Sequence, residues 1–373
     1  VKTGRSLQEL AAELERQVET RKDFVAPQEK VVMDLGADEE KPGKARPVIT
    51  MDVNGGRRVY GINNHAHGQI ASTLGIPKAY YDRMREETPA LLTENVNTWM
   101  KKEPAKRRLV RTLDGNVRAL LSDRYRPLDN SDMMEASLPA LIEAKATIVS
   151  AEVTETRLHL KAIFPELSEA VPTGMVLGQG HGNVGRVNVA AVILQNSEVG
   201  ASTLRVSAGF FSTWCTNLCV MDDSSMRKYH IGRSAAAELD AAVELFSNET
   251  RKQDDKAFWL KVRDVVRASC NREAFKAMME RVAVAAGDKI ESDNLPAVIE
   301  LTARKFGLAD GVKNAVLKHL IQAGDLNRYG LLNAVTRASA DVEDYDAATD
   351  LERLGGKILE LPKTDWAEIS RAA

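Results

Sequence analysis

The chain has 373 residues, of which 44% are apolar and 28% charged, and a formal net charge of −2. That gives room for a substantial core and two or three domains, with the composition of an ordered globular protein. The near balance of charge excludes a protein that coats nucleic acid through global basicity, so any such contact must be local.

No apolar run approaches the roughly 18–20 residues of a membrane span, and the charged N-terminal segment lacks an apolar h-region, so neither a span nor a signal peptide is expected. The three cysteines, Cys215, Cys219 and Cys270, fit free thiols in a reducing, cytoplasmic compartment.

In chain order, Leu7, Leu10, Ala11, Leu14 and Val18 fall at helical spacing from Ser6 to about Lys22, with Ser6 and Glu9 in a capping-box pattern. The polar, turn-rich stretch Ala37 to Lys44 reads as a linker. Arg46 to Val53 and Arg57 to Ile62 form a hairpin around Asn54-Gly55-Gly56, and helices follow over Asn64–Leu74, Pro77–Glu87 and Leu91–Lys101, the last opened by Thr88-Pro89. His65 and His67 make an HxH pair, but residues two apart on a helix do not face each other and no second ligand pair is present, so no metal is assigned.

Lys101 to Arg126 holds nine Lys/Arg against three Asp/Glu. Within it Arg107–Leu113 and Asn116–Leu121 are strands joined by Asp114-Gly115, a type I′ hairpin signal. A straight two-residue hairpin sets Arg111 opposite Arg118, Val110 opposite Ala119 and Leu109 opposite Leu120. Val110, Thr112, Val117, Ala119 and Leu121 then share one face with the stem of Arg108, while Arg107, Arg111 and Arg118 share the other with Leu109, Leu113 and Leu120. Two arginines directly opposite repel and require an anion. A nucleic-acid phosphate supplies one, with Arg107, Arg108, Arg111, Arg118, Arg124 and Arg126 as contacts and Tyr125 as a stacking face. An internal carboxylate, Glu152, Glu155 or another, supplies it equally well.

After the hairpin, a helix capped by Asn130 or Ser131 runs to about Ala144, and strands are expected over Thr147–Val153, Arg157–Phe164, Arg186–Leu194 and Thr203–Phe211. Gly180, Gly182 and Gly185 spell G-x-G-x-x-G, but the next residues are β-branched rather than the opening of a helix, so a dinucleotide site is rejected. Cys215 and Cys219 with His230 lack the ligand count of a structural zinc site. From Ser234 onward the apolar stripes are helical, among them Leu239/Ala242/Val243/Phe246, Phe258/Val262/Val265/Val266 and Phe275/Met278/Met279/Val282. Leu295–Phe306 and Val312–Gln322 flank Gly307 to Gly311 as ordinary packed helices, since the second carries too few basic residues for a recognition helix.

The expected fold is α+β: a mostly antiparallel sheet with hairpins and packed helices, then an all-helical C-terminal region. The divisions are residues 1–45 (helix and linker), 46–232 (α+β core) and 233–373 (helical).

The chain resembles the phage- and plasmid-encoded proteins grouped under domain of unknown function 932. The resemblance rests on Asn64-His65-Ala66-His67-Gly68-Gln69 with Gly75-Ile76-Pro77 and Tyr80, and on Val110 to Gly115 running to Ser122-Asp123-Arg124-Tyr125-Arg126. It continues with Asn196-Ser197-Glu198 and Gly200, with Cys215-Thr216-Asn217, and with Tyr329 to Thr336. The chain departs from that pattern at Phe211 to Trp214, where an arginine is expected, and at Leu218, where a glycine is. The resemblance implies a mobile-element setting in a bacterial host and no particular activity.

Three functions fit such a chain. The first is non-enzymatic single-stranded nucleic-acid binding or annealing in recombination or replication, with assembly into a homo-oligomer. The second is a metal-dependent nuclease or other phosphoryl-transfer enzyme, for which Asp123, Asp129, Glu152 and Glu198 are the carboxylates nearest strand ends; no cofactor is assigned. The third is a structural or host-interaction protein, favoured if Arg111 and Arg118 each pair with an internal carboxylate.

Overall fold

The Asp114-Gly115 turn forms as its composition dictates, with both residues at positive φ, 50° and 75°. The computed structural model describes residues 2–37, 44–53, 55–171, 186–213, 216–221, 226–228 and 248–373. The glycine motif at 180–185, Cys215, His230 and the Leu239 stripe lie outside the described residues.

Helix α1 (Leu7–Thr20) begins at the Ser6/Glu9 capping box. Strands β1 (Lys22–Pro27), β2 (Val32–Ala37), β3 (Ala45–Val53) and β4 (Gly56–Ile62) follow, then helices α2 (Asn64–Thr73), α3 (Lys78–Glu87) and α4 (Pro89–Met100) and the hairpin β5 (Arg107–Leu113) and β6 (Asn116–Ser122). These six strands form one sheet in the order β1-β5-β6-β4-β3-β2. Its pairs are antiparallel apart from β4 with β6. Residues 22–37 therefore supply two strands where the sequence suggests helix and linker alone. In β1 the alternation of Phe24 and Ala26 with Asp23 and Val25 is a period-2 signal too short to stand out.

Helix α5 (Asn130–Glu143) leads to the second sheet, built from β7 (Thr147–Val153), β8 (Leu158–Val171), β9 (Arg186–Asn196), β10 (Leu204–Ser212) and β11 (Asn217–Val220), with β12 (Met226–Lys228) paired to β10. The rest of the described chain is helical: α6 (Asn248–Ala268), α7 (Arg272–Gly287), α8 (Leu295–Phe306), α9 (Asp310–Ala323), α10 (Arg328–Arg337), α11 (Tyr345–Leu359) and α12 (Lys363–Ser370). The protein is thus α+β, and among the described residues no helix is long and apolar enough to cross a membrane.

The apolar interior is arranged by sheet. Met33, Ile49, Val110, Val117 and Leu120 pack against Ile70, Leu92 and Val96 of the helices beside the first sheet. A larger cluster joins Leu10 of α1, Leu160, Val192 and Phe210 of the second sheet, and Leu332, Ile358 and Ile369 of the C-terminal helices. Cys219 lies in that cluster, fully buried, and burial pushes its thiol pKa up. That is the behaviour of a small apolar side chain.

Candidate functional site

The arginine hairpin is straight for only half its length. Leu113 pairs with Asn116 and Thr112 with Val117, but Arg111 then pairs with Ala119, Val110 with Leu120 and Leu109 with Leu121. Arg118 is the extra residue of a β-bulge, so it does not sit opposite Arg111. The bulge moves every later side chain of β6 to the other face. Leu120, expected beside the arginines, joins Val110 and Val117 in the apolar cluster instead. Its amide donates to Gln69 Oε1 at 2.8 Å.

Both arginines converge on Glu198, in the turn after β9. Arg118 Nη1 is 2.8 Å from Glu198 Oε2. Arg111 donates from all three guanidinium nitrogens: Nε to Asp23 Oδ1 at 2.9 Å, Nη1 to the Glu198 carbonyl at 2.7 Å and Nη2 to Asp129 Oδ1 at 3.2 Å. Glu198 Oε1 accepts the Asn130 amide at 2.7 Å, at the N-terminus of α5. Arg21, just past α1, reaches Asp129 Oδ2 at 2.9 Å and Glu198 at 3.5 Å. Arg111 is 1% exposed, Arg118 6% and Glu198 5%. Burial pulls the Arg111 pKa down, but Asp23, with the charges of Glu198 and Asp129, outweighs it and holds the guanidinium above its ordinary range. The two arginines therefore meet internal carboxylates, and both side chains are buried.

The surrounding motif residues complete this clasp between the sheets. Gln69 Nε2 and His65 Nε2 donate to the Val199 carbonyl at 2.7 and 3.0 Å, and the His65 amide donates to Glu155 Oε1 at 2.9 Å. Tyr125 is half-buried, its hydroxyl donating to the Ser197 carbonyl at 3.0 Å, and burial raises its pKa. It is a strut rather than a free stacking face. Asn196 Nδ2 donates to the Leu128 carbonyl at 2.7 Å and to Asn130 Oδ1 at 2.9 Å. Gly200 holds φ at +76°, and a Cβ there would meet Leu121 Cδ2 at 2.8 Å. A cavity of about 80 Å³, lined in part by Gln17, Asn63, Arg118, Arg157 and Glu198, lies at this seam.

His67 turns the other way, buried with Nδ1 2.8 Å from the Tyr81 hydroxyl, so the two histidines of the HxH pair have separate partners. Of the remaining expected contacts, Arg107 is exposed and donates to the Val25 carbonyl at 3.3 Å, while Arg108 is half-buried with Nε on Gln28 Oε1 at 2.8 Å. Arg124 is exposed and Arg126 half-buried. The four carboxylates considered for catalysis do not gather: Asp129 and Glu198 serve the clasp, Glu152 pairs with Arg5, and Asp123 lies 3.4 Å from Ser122 Oγ. Among the described residues no group of three or more His, Cys, Asp or Glu is placed to hold a metal ion.

The motifs near the end of the chain meet at a second buried junction. Asn217 Nδ2 donates to Asn333 Oδ1 at 3.1 Å and to Thr336 Oγ1, and the Tyr329 hydroxyl donates to Asn188 Oδ1 at 3.1 Å. Arg21 and Asp23 are the functional residues of the clasp that the sequence does not single out. No family model, no curated protein and no solved structure matches the chain.

Proposed function

We propose that the chain is a non-enzymatic interaction protein, in the mobile-element setting its motifs suggest, whose arginine motif is architectural. The observation that carries this reading is the convergence of Arg111 and Arg118 on Glu198, both guanidiniums at least nine-tenths buried. A ligand phosphate would have to displace three internal acceptors from Arg111 alone, each a charge-assisted or buried hydrogen bond. Two of the four carboxylates considered for phosphoryl transfer are likewise spent on holding elements together, Glu198 by receiving the first amide of α5 and Asp129 by bridging Arg21 and Arg111.

The test measures stability and single-stranded DNA binding side by side on Arg111→Ala/Arg118→Ala. The expected result is a large drop in urea midpoint, with the folded fraction binding DNA as the parent does. A variant that keeps the parent's stability but loses DNA affinity and salt dependence returns the arginine face to the role of interface. Nucleic-acid binding has separate support from a different surface, the open end of the first sheet.

A further inference from the structure

We infer that the end of the first sheet at which α4 hands over to β5 is a docking surface for single-stranded nucleic acid, with Lys101, Lys102, Arg107 and Arg124 on phosphates and Trp99 beneath a base. This rests on the interaction-protein reading and names its partner.

The surface is assembled by one buried glutamine. Gln28 Nε2 donates to the Met100 carbonyl at 3.2 Å, its Oε1 accepts Arg108 Nε at 2.8 Å, and its amide donates to the Lys106 carbonyl at 2.8 Å. Helix end, turn and strand start are thereby held together without help from a ligand. Arg107 and Arg108 pair with Pro27 and Ala26 on one side, and Arg108 pairs with Ser122 on the other. Arg124 follows directly, its amide donating to Ser122 Oγ at 3.2 Å. All four named cations are exposed, and none makes an ion pair among the described residues. Lys106 does, with Glu103 at 2.7 Å. The contrast with the clasp is chemical: there each guanidinium is answered by a carboxylate, while here Arg107 has the Val25 carbonyl and Lys102 the Trp99 ring, and no carboxylate among the described residues answers the four charges.

Trp99 adds the second, independent feature. It is 42% exposed, a large apolar face on a protein surface, and Lys102 Nζ lies 3.9 Å from its ring centroid. An indole beside unpaired cations matches a single strand, which offers phosphates and unstacked bases together. A duplex offers the phosphates but keeps its bases stacked, and an acidic peptide offers charge without a planar group. A base arriving on the indole displaces Lys102 toward the neighbouring phosphate.

The test is fluorescence anisotropy of a labelled 20-nucleotide oligo-dT with the full chain. Four phosphate contacts on a single strand give a log–log salt slope of about −3, or roughly a 50-fold loss of affinity between 50 and 200 mM salt. Lys101→Glu/Lys102→Glu/Arg107→Glu/Arg124→Glu is expected to weaken binding at least about 100-fold at an unchanged melting temperature. Trp99→Ala is expected to weaken it roughly 10-fold with the slope kept, as base stacking is sequence-tolerant and uncharged. Lys101→Ala/Lys102→Ala reports independently, with a shallower slope by about 1.4, should the four-fold reversal disturb folding.

Absence of binding at 50 mM salt, equal binding by the reversed variant, equal affinity for a duplex of the same length, or preference for a polyglutamate peptide would each overturn the inference. Cleavage of the labelled strand during the titration breaks the non-enzymatic reading instead, and leaves the docking surface standing.

Discussion

Two of the buried charge networks among the described residues are built on opposite terms. The clasp spreads three arginines over Asp23, Asp129 and Glu198, with extra acceptors from backbone, at a seam that solvent reaches. Under α11, Lys161 Nζ meets Glu352 Oε2 at 2.7 Å with both side chains wholly buried, and the Tyr345 ring lies 4.6 Å from the ammonium. Beside them His159 Nε2 is 2.6 Å from Asp346 Oδ1. Burial pulls the Lys161 pKa down, against the attraction of Glu352. The clasp gives Arg111 three acceptors and joins two sheets; the dry pair meets through one ion pair and fastens one helix to one strand. Redundancy decides how each responds to the loss of a single group.

The largest effect is therefore expected in the dry pair. Lys161→Met leaves Glu352 as an uncompensated buried carboxylate and costs about 3–5 kcal/mol in urea unfolding, whereas Lys161→Met/Glu352→Leu returns to within roughly 1 kcal/mol of the parent or exceeds it. A single variant as stable as the parent would mean that the pair is hydrated and the contrast with the clasp unfounded.

Glu198→Gln tests the clasp at its centre. The amide keeps an acceptor for the Asn130 amide but meets Arg118 without charge, so a cost of about 1.5–3 kcal/mol is expected. A loss as large as that of Lys161→Met would show that the clasp is no more redundant than the dry pair.

His67 offers a third arrangement, a buried titratable group kept neutral. Burial, then the charges of Arg85 and Lys78, lowers its pKa to about 3, with Asp82 opposing. The folded pKa lies below the unfolded value of roughly 6.5, so the unfolded chain binds the extra proton between about pH 6.5 and 3. Stability is then unaffected above that window and falls as pH drops through it, by about 2 kcal/mol at pH 5. The parent and His67→Gln, compared by urea midpoint at pH 7 and pH 5, should differ in slope, the variant losing less.

How much of this was legible varies with the range of the interaction. The Ser6/Glu9 box, the Asp114-Gly115 turn and the paired helices α8 and α9 are local patterns, and each stands where its residues put it. The bulge at Arg118 has no glycine to mark it, and it alone turns an expected Arg111–Arg118 opposition into a shared grip on Glu198. Arg111 and Glu198 are 87 residues apart and Lys161 and Glu352 are 191 apart. No periodicity reports such pairs, because tertiary contact rather than local propensity brings them together. The convergence of Asn64–Gln69, Val110–Arg126 and Asn196–Gly200 on one seam shows that a cluster of polar residues can mark a structural joint as readily as a binding face.

The smallest effect sharpens the contrast most. Asp23 is a third exposed and accepts from Arg111 Nε at 2.9 Å, one of three acceptors around that guanidinium. Asp23→Asn removes the charge but keeps an acceptor oxygen, and Arg111 retains the Glu198 carbonyl and Asp129. Solvent at this edge screens the lost charge, so a cost of about 0.5–1 kcal/mol is expected, near that of an exposed ion pair. Combined with Glu198→Gln, the loss should exceed the sum of the two single losses, because the Glu198 charge also acts on Arg111 and is then no longer there to offset the loss of the Asp23 charge. Strict additivity in that double-mutant cycle would mean that the arginines are held by separate bonds side by side, and that the clasp is two contacts rather than one.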